Sequence, residues 1–261
     1  MIDNIDYHII DRCNLNCASY NHFSPLAPFN DNGKSIEQIT ADIALLSKIK
    51  SHFNSISILG GEPTLHPQLS KILKIVREFL PENEIHLVTN GTKFEHFEKW
   101  KDALAETRTI VYVTLYPYCD DYSARFDKIY NTLSSEVAVY YAGCDGFSHP
   151  FLSNREYGNQ EHILGCWRRT HCPQLKNGKL YLCNLAAQFN VLKDHFGDQV
   201  EFGLRGDEYL NLNGEVTEEK LHDFIFQACP GLCNHCVDMY TCETLYPWTT
   251  TKGDIEEWVE K

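Results

Sequence analysis

Five short apolar runs, rich in β-branched residues and separated by helical patterns, fill the first 141 residues and constrain the fold more than any other feature of this 261-residue chain. The runs cover residues 7–10, 55–59, 85–89, 109–115 and 137–141. Between them, apolar side chains recur at spacings of three and four, the mark of a helix with one buried face. The first set is Ile36, Ile39, Ile43 and Leu46, with Ser35 and Gln38 at the spacing of a capping box. Leu69, Ile72, Leu73, Val76 and Phe79 make the second face, and Phe94, Phe97, Trp100 and Leu104 the third. Tyr122, Phe126, Ile129 and Leu133 make the fourth. Strands alternating with helices predict a parallel α/β sheet with right-handed crossovers. The units are too few for a closed eight-stranded barrel. An open, partial TIM-type barrel is expected, with a weakly signalled sixth strand near residues 146–152.

In such folds the loops after the strands carry the chemistry. The loop after the first strand runs Asp11-Arg12-Cys13-Asn14-Leu15-Asn16-Cys17-Ala18-Ser19-Tyr20-Asn21-His22. The second strand ends in Gly60-Gly61-Glu62-Pro63, and the third in Asn90-Gly91. Paired glycines permit a sharp turn or a close approach of backbone to a ligand. Asn-Gly is also an ordinary turn pair.

Periodicity fades over residues 143–165, which places a boundary between a domain at 1–150 and a smaller one at 151–261. Of 11 cysteines, seven fall in the last hundred residues. That odd count at short spacings points to metal ligation rather than a disulfide framework. Asn177-Gly178, flanked by apolar residues, predicts a hairpin that brings Cys172 and Cys183 to one end. Cys233-x2-Cys236 supplies two more thiols from one tight turn. Four sulfurs so arranged suit a zinc ion or an iron–sulfur cluster. Cys166, Cys229 and Cys242 are alternates, with Cys166 the main rival; Cys119 and Cys144 read as ordinary thiols. Thr217 opens a helix with Leu221, Phe224, Ile225 and Ala228 on one face.

The net charge of −13 disfavours nucleic acid and anionic lipid as partners, with Trp167-Arg168-Arg169 the one local basic patch. No run is apolar enough to span a membrane and no basic-then-apolar leader opens the chain, so a cytoplasmic location is expected.

Taken together, these motifs resemble the radical S-adenosylmethionine (SAM) enzymes, whose signature is Cys-x3-Cys-x2-Cys after the first strand. The resemblance implies a (β/α)6-type partial barrel and a 4Fe-4S cluster that binds SAM at its fourth iron. It gives Cys13 and Cys17 two ligand positions, and the third falls on Tyr20. It gives Gly60, Gly61 and Glu62 the amino group of SAM, and Asn90 a polar SAM contact. A free carboxylate also suits an ammonium group. The C-terminal cysteines resemble a SPASM or twitch domain, which implies an auxiliary 4Fe-4S cluster on Cys172, Cys183, Cys233 and Cys236. A flavodoxin- or ferredoxin-type reductant and a sugar, small-metabolite or peptide substrate are implied in turn.

Tyr20 admits three readings. Its phenolate ligates iron, as phenolates do in some haem proteins. Alternatively, two cysteines hold a labile cluster or none, in a degenerate, non-catalytic relative. In the third, Tyr20 packs and a neighbour such as His22 supplies the ligand.

Overall fold

A computed structural model describes residues 1–116, 122–144, 146–147, 150–158, 160–237 and 246–261. Its centre is a parallel sheet of β1 (Ile2–Ile10), β2 (Phe53–Gly60), β3 (Glu84–Thr89), β4 (Thr109–Leu115) and β5 (Val139–Gly143), each strand beside the next. The crossovers carry α1 (Ile36–Leu46), α2 (Leu69–Phe79), α3 (Lys101–Glu106) and α4 (Tyr122–Leu133). The capping box of α1 is formed: Ser35 Oγ accepts from the Gln38 amide at 3.2 Å, and the Gln38 side chain accepts from the Ser35 amide at 3.0 Å.

The third helical pattern begins as a 3-10 turn over Phe94–Trp100 and becomes α-helical only at α3. Its i,i+3 pair Phe97–Trp100 sits edge to face at 5.3 Å, and three residues per turn bring such pairs into line. The fifth strand starts two residues later than expected, because the Val137 amide donates back to Leu133 at the end of α4.

The expected sixth strand near 146–152 does not join this sheet. Two-residue strands β6 (Gly146–Phe147) and β7 (Leu152–Ser153) form there and pair elsewhere. The sheet grows instead from the opposite edge. Beyond α5 (Gln160–Gly165) and α6 (Arg168–His171), β8 (Gln174–Lys176) lies parallel to β1, and β9 (Lys179–Tyr181) and β10 (Tyr209–Asn211) follow antiparallel. The order is β10-β9-β8-β1-β2-β3-β4-β5. The β8–β9 turn is Asn177-Gly178, both with positive φ (53° and 70°), the conformation that a two-residue hairpin of this hand requires.

Register fixes two contrasting rows. Leu175, Tyr7, Ile58, Leu87, Val111 and Val139 are successive partners across six strands, all buried in the core shared with α1, α2 and α4. One residue away, Gln174, Asp6, Ser57 and His86 are partners on the opposite face. Side chains alternate along a strand, so one face of the sheet is helix-packed and the other is polar.

A second core joins α7 (Asn184–Phe196) to Phe23 and Leu26, which follow the cysteine loop, and to Trp258 and Val259 near the chain end. α8 (Glu218–Phe226) packs Leu221, Phe224 and Ile225 into the main core, while β11 (Tyr246–Pro247) pairs β6 and β12 (Val259–Glu260) pairs β7. Among the described residues no helix is long and apolar enough to cross a membrane.

Candidate active site

The C-terminal ends of β1 to β4 open on one cavity. Cys13, Cys17, Tyr20, His22 and Ser24 line it from the loop after β1; Gly60, Gly61, Thr89, Asn90 and Tyr116 line it from the ends of β2, β3 and β4. The three expected N-terminal ligands and most of the expected SAM contacts therefore share a single space.

The cysteine loop is braced by backbone contacts. The Asp31 carboxylate accepts from the amides of Asp11, Arg12 and Gly33 at 2.7, 3.1 and 2.9 Å. The Gly61 and Glu62 amides donate to the carbonyls of Ile10 and Arg12 at 2.9 and 3.0 Å. A Cβ on Gly60 would stand 1.9 Å from the Ile10 oxygen, and one on Gly61 2.2 Å from that of Arg12. The glycine pair is thus required by the chain's own cysteine loop, before any ligand is considered.

The Glu62 carboxylate, expected to face an ammonium group, is hydrogen-bonded within the protein. It is fully buried and outside the cavity lining. Its Oε1 accepts from the Thr64 amide and hydroxyl at 3.0 and 2.5 Å and from the Thr89 hydroxyl at 2.7 Å, and its Oε2 from the Asn90 amide at 2.8 Å. Burial raises its pKa above the ordinary value, against these donors. The carboxylate ties the ends of β2 and β3 together, and the backbone of Gly60 and Gly61 is what faces the cavity.

Asn90 is also occupied. Its Nδ2 donates to Asn14 Oδ1 at 3.1 Å and approaches the Cys13 sulfur at 3.6 Å, while its Oδ1 accepts from Thr92. The Leu15 amide also donates to the Cys13 sulfur, at 3.3 Å. The Cys17 sulfur accepts from the indole Nε1 of Trp248 at 3.1 Å. Burial pushes the Cys13 thiol up to about 12 and the Cys17 thiol up to about 11; for Cys13 the Glu62 carboxylate adds to the effect. Burial and the two cysteines also raise the Tyr20 phenol well above its usual value. Two thiols and a phenol around one cavity make a donor set that suits a cationic iron–sulfur cluster, whose charge would displace their protons.

Histidines deepen the wall. His8 Nε2 and His22 Nδ1 are 2.6 Å apart, His8 Nδ1 and Asp11 Oδ1 2.9 Å, and the His22 ring stacks on Tyr20 at 5.2 Å. Burial lowers the pKa of both histidines. Sequence reading singled out His22 but missed His8, Ser24 and Tyr116. For His8 and Tyr116 the available signal was a polar residue at the mouth end of a strand. The buried Ser24 hydroxyl makes no hydrogen bond among the described residues.

A second cavity is lined by Cys166, Cys183, Cys233 and Cys236, together with Arg168 and Glu208. Cys172 is outside that lining and stands by Asp6; burial, and then the Asp6 carboxylate, hold its thiol well above the usual range. Cys229 is exposed, and Cys242, like Cys119, lies outside the described residues. Among the described residues no three His, Cys, Asp or Glu side chains form a group that could hold a single metal ion. The four thiols stand around a space instead.

Residues 7–138 match the family model of the Radical SAM superfamily. The GTP 3',8-cyclase of Nautilia profundicola is 31% identical over 107 residues, 39% of this chain and 32% of that protein. The GTP 3',8-cyclase of Campylobacter curvus is 25% identical over 103 residues, 38% of this chain and 30% of that protein. The chain thus spans about a third of the length of these relatives. Among solved structures, selenomethionine BtrN in an open conformation superposes with a TM-score of 0.50 over 90% of this chain and 92% of that one, at 15% identity, a likeness of fold.

Proposed function

The chain belongs to the radical SAM superfamily, and from that premise we propose that it is an enzyme that holds an iron–sulfur cluster on Cys13, Cys17 and Tyr20 and binds SAM against Gly60, Gly61 and Asn90. When bound, the cluster, charged by an external one-electron reductant, and SAM would supply reductive cleavage of SAM and hydrogen-atom abstraction from a substrate. The observation that carries the reading is the single cavity at the strand ends, where all six residues meet.

Each residue then has a part. The backbone of Gly60 and Gly61 offers a wall without side chains. Asn90 holds the Cys13 sulfur and Asn14, and Glu62 fixes Asn90 by its backbone amide. His22, Ser24 and Tyr116 give the substrate side of the cavity polar groups, which suits a sugar, a polar metabolite or a peptide. An auxiliary 4Fe-4S cluster in the second cavity rests on Cys183, Cys233 and Cys236, with Cys166 as the fourth ligand in preference to Cys172, because Cys166 shares their cavity. Thiols spread around a space suit a polynuclear cluster better than one ion.

A second reading, SAM and cluster binding without cleavage, is favoured by one observation: the third ligand position in the cavity holds a phenol in place of a thiol. One experiment separates the two. Protein reconstituted anaerobically with iron and sulfide is given SAM and dithionite, and 5'-deoxyadenosine is measured by chromatography. Release of 5'-deoxyadenosine supports the enzyme. SAM binding with no release supports the second reading, and absence of both iron and SAM binding sinks the two together.

A further inference from the structure

The C-terminal segment closes over the cysteine loop through contacts far apart in sequence. Cys17 and Thr250 form an antiparallel bridge. The Ala18 amide donates to the Thr249 carbonyl and the Thr251 amide to that of Asn16, both at 2.9 Å. Trp258, fully buried in the second core, donates its indole N–H to the Tyr20 carbonyl at 3.1 Å. Within this strap the Trp248 indole N–H points at the Cys17 sulfur, 3.1 Å away. Both sulfurs of the loop therefore accept hydrogen bonds: Leu15 and Asn90 donate to Cys13, and Trp248 donates to Cys17.

We propose that Trp248 is a positioning residue for the N-terminal centre: its N–H holds the Cys17 sulfur and sets how readily that centre takes up an electron. The inference rests on the reading of Cys17 as a cluster ligand. A donor aimed at a thiolate withdraws charge from it and favours the reduced cluster, and hydrogen bonds to sulfur are among the levers that set cluster potentials. A phenolate at the third position pulls the opposite way, because a hard anionic oxygen favours the oxidised cluster. Trp248 offsets that effect, and it makes the electron affinity of a site built on residues 13–20 depend on a residue more than two hundred positions away.

Trp248→Phe keeps the ring and removes the N–H. In an EPR-monitored redox titration of the reconstituted full chain, the N-terminal cluster should become harder to reduce. The expected change is about tenfold in the ratio of oxidised to reduced cluster at fixed potential, or about 59 mV for a one-electron couple. Trp248→His, which restores a ring N–H, should recover part of the shift, whereas packing alone predicts no recovery in the smaller, more polar His ring. An unchanged potential in Trp248→Phe overturns the proposal. So does a loss of iron that Trp248→His fails to relieve, since the ring would then serve packing alone. Metal-free protein provides a separate test. The Trp248 indole resonance, assigned by its loss in Trp248→Phe, should move in Cys17→Ala; a stationary resonance overturns the contact itself. Failure of the wild type to bind iron sinks the cluster reading, and the indole resonance still decides the contact.

Discussion

The hydroxyl of Thr89, at the end of β3, donates at 2.7 Å to a carboxylate oxygen of Glu62, on the turn after β2. The two residues join neighbouring strand ends beneath the cavity, and every other partner of that carboxylate is also a donor: the Thr64 amide and hydroxyl, and the Asn90 amide.

Glu62→Gln therefore turns a buried acceptor for four donors into a group with an NH2 at one end. At least one N–H or O–H is left facing a donor, at a cost of about 1–3 kcal/mol. Urea unfolding of metal-free protein should show that loss. Unchanged stability would mean that the network is not closed as described.

Tyr20→Phe tests the third ligand position. The variant keeps the stack on His22 and removes the oxygen. If the phenolate ligates iron, the variant loses roughly one cluster of iron, and Tyr20→Cys restores it with a different potential. A Phe variant with wild-type iron content and SAM cleavage ends the ligand reading.

The second cavity separates two neighbouring cysteines. Cys166→Ala should lower auxiliary iron by about one cluster and destabilise the C-terminal region, because ligation is linked to folding. Cys172→Ala should leave iron content near that of the wild type. The reverse pattern, measured by iron and sulfide analysis, would return the fourth position to Cys172.

Asp6 predicts a pH dependence. It is 5% exposed on the polar face of β1, and burial pushes its carboxyl up to about 7, with the Asn4 hydrogen bond and Arg168 pulling the other way. The folded state binds this proton more tightly than the unfolded chain does. Its contribution is fully present below the ordinary aspartate range, near 3.8, and is lost as pH rises through about 7. Asp6→Asn should thus be more stable than wild type at pH 8, by on the order of 2 kcal/mol at 1.36 kcal/mol per pKa unit after allowance for relaxation. The gap should close toward pH 4. A constant difference across that range would rule out Asp6 as the source.

Features set by neighbours in sequence were legible from the chain alone. The Ser35–Gln38 box, the positive-φ turn at Asn177-Gly178 and the strand ends at Gly60 and Asn90 are local matters of backbone and period. What escaped sequence reading was long-range. Nothing near Glu62 indicates that Thr89 and Asn90 consume its oxygens. The spacing of Cys166 and Cys172 gives no sign that only Cys166 lines the second cavity. Gly61 was expected to be glycine for a ligand, yet it faces the Arg12 carbonyl at a distance that excludes any Cβ. Each of these depends on contacts between segments far apart in sequence, which no local pattern records.

The place of β8 beside β1 has a consequence for how the chain is made. β1 has β2 on one edge, and its other edge pairs Asp6 with Gln174 and Tyr7 with Leu175. Until the ribosome has delivered residue 175, that edge presents unpaired amides and carbonyls beside a sheet of five strands. Such an edge invites pairing with another chain. The nascent protein passes through a long interval in which a strand that ends up inside the sheet is an edge strand, and a fragment released at residue 150 would keep that edge exposed permanently.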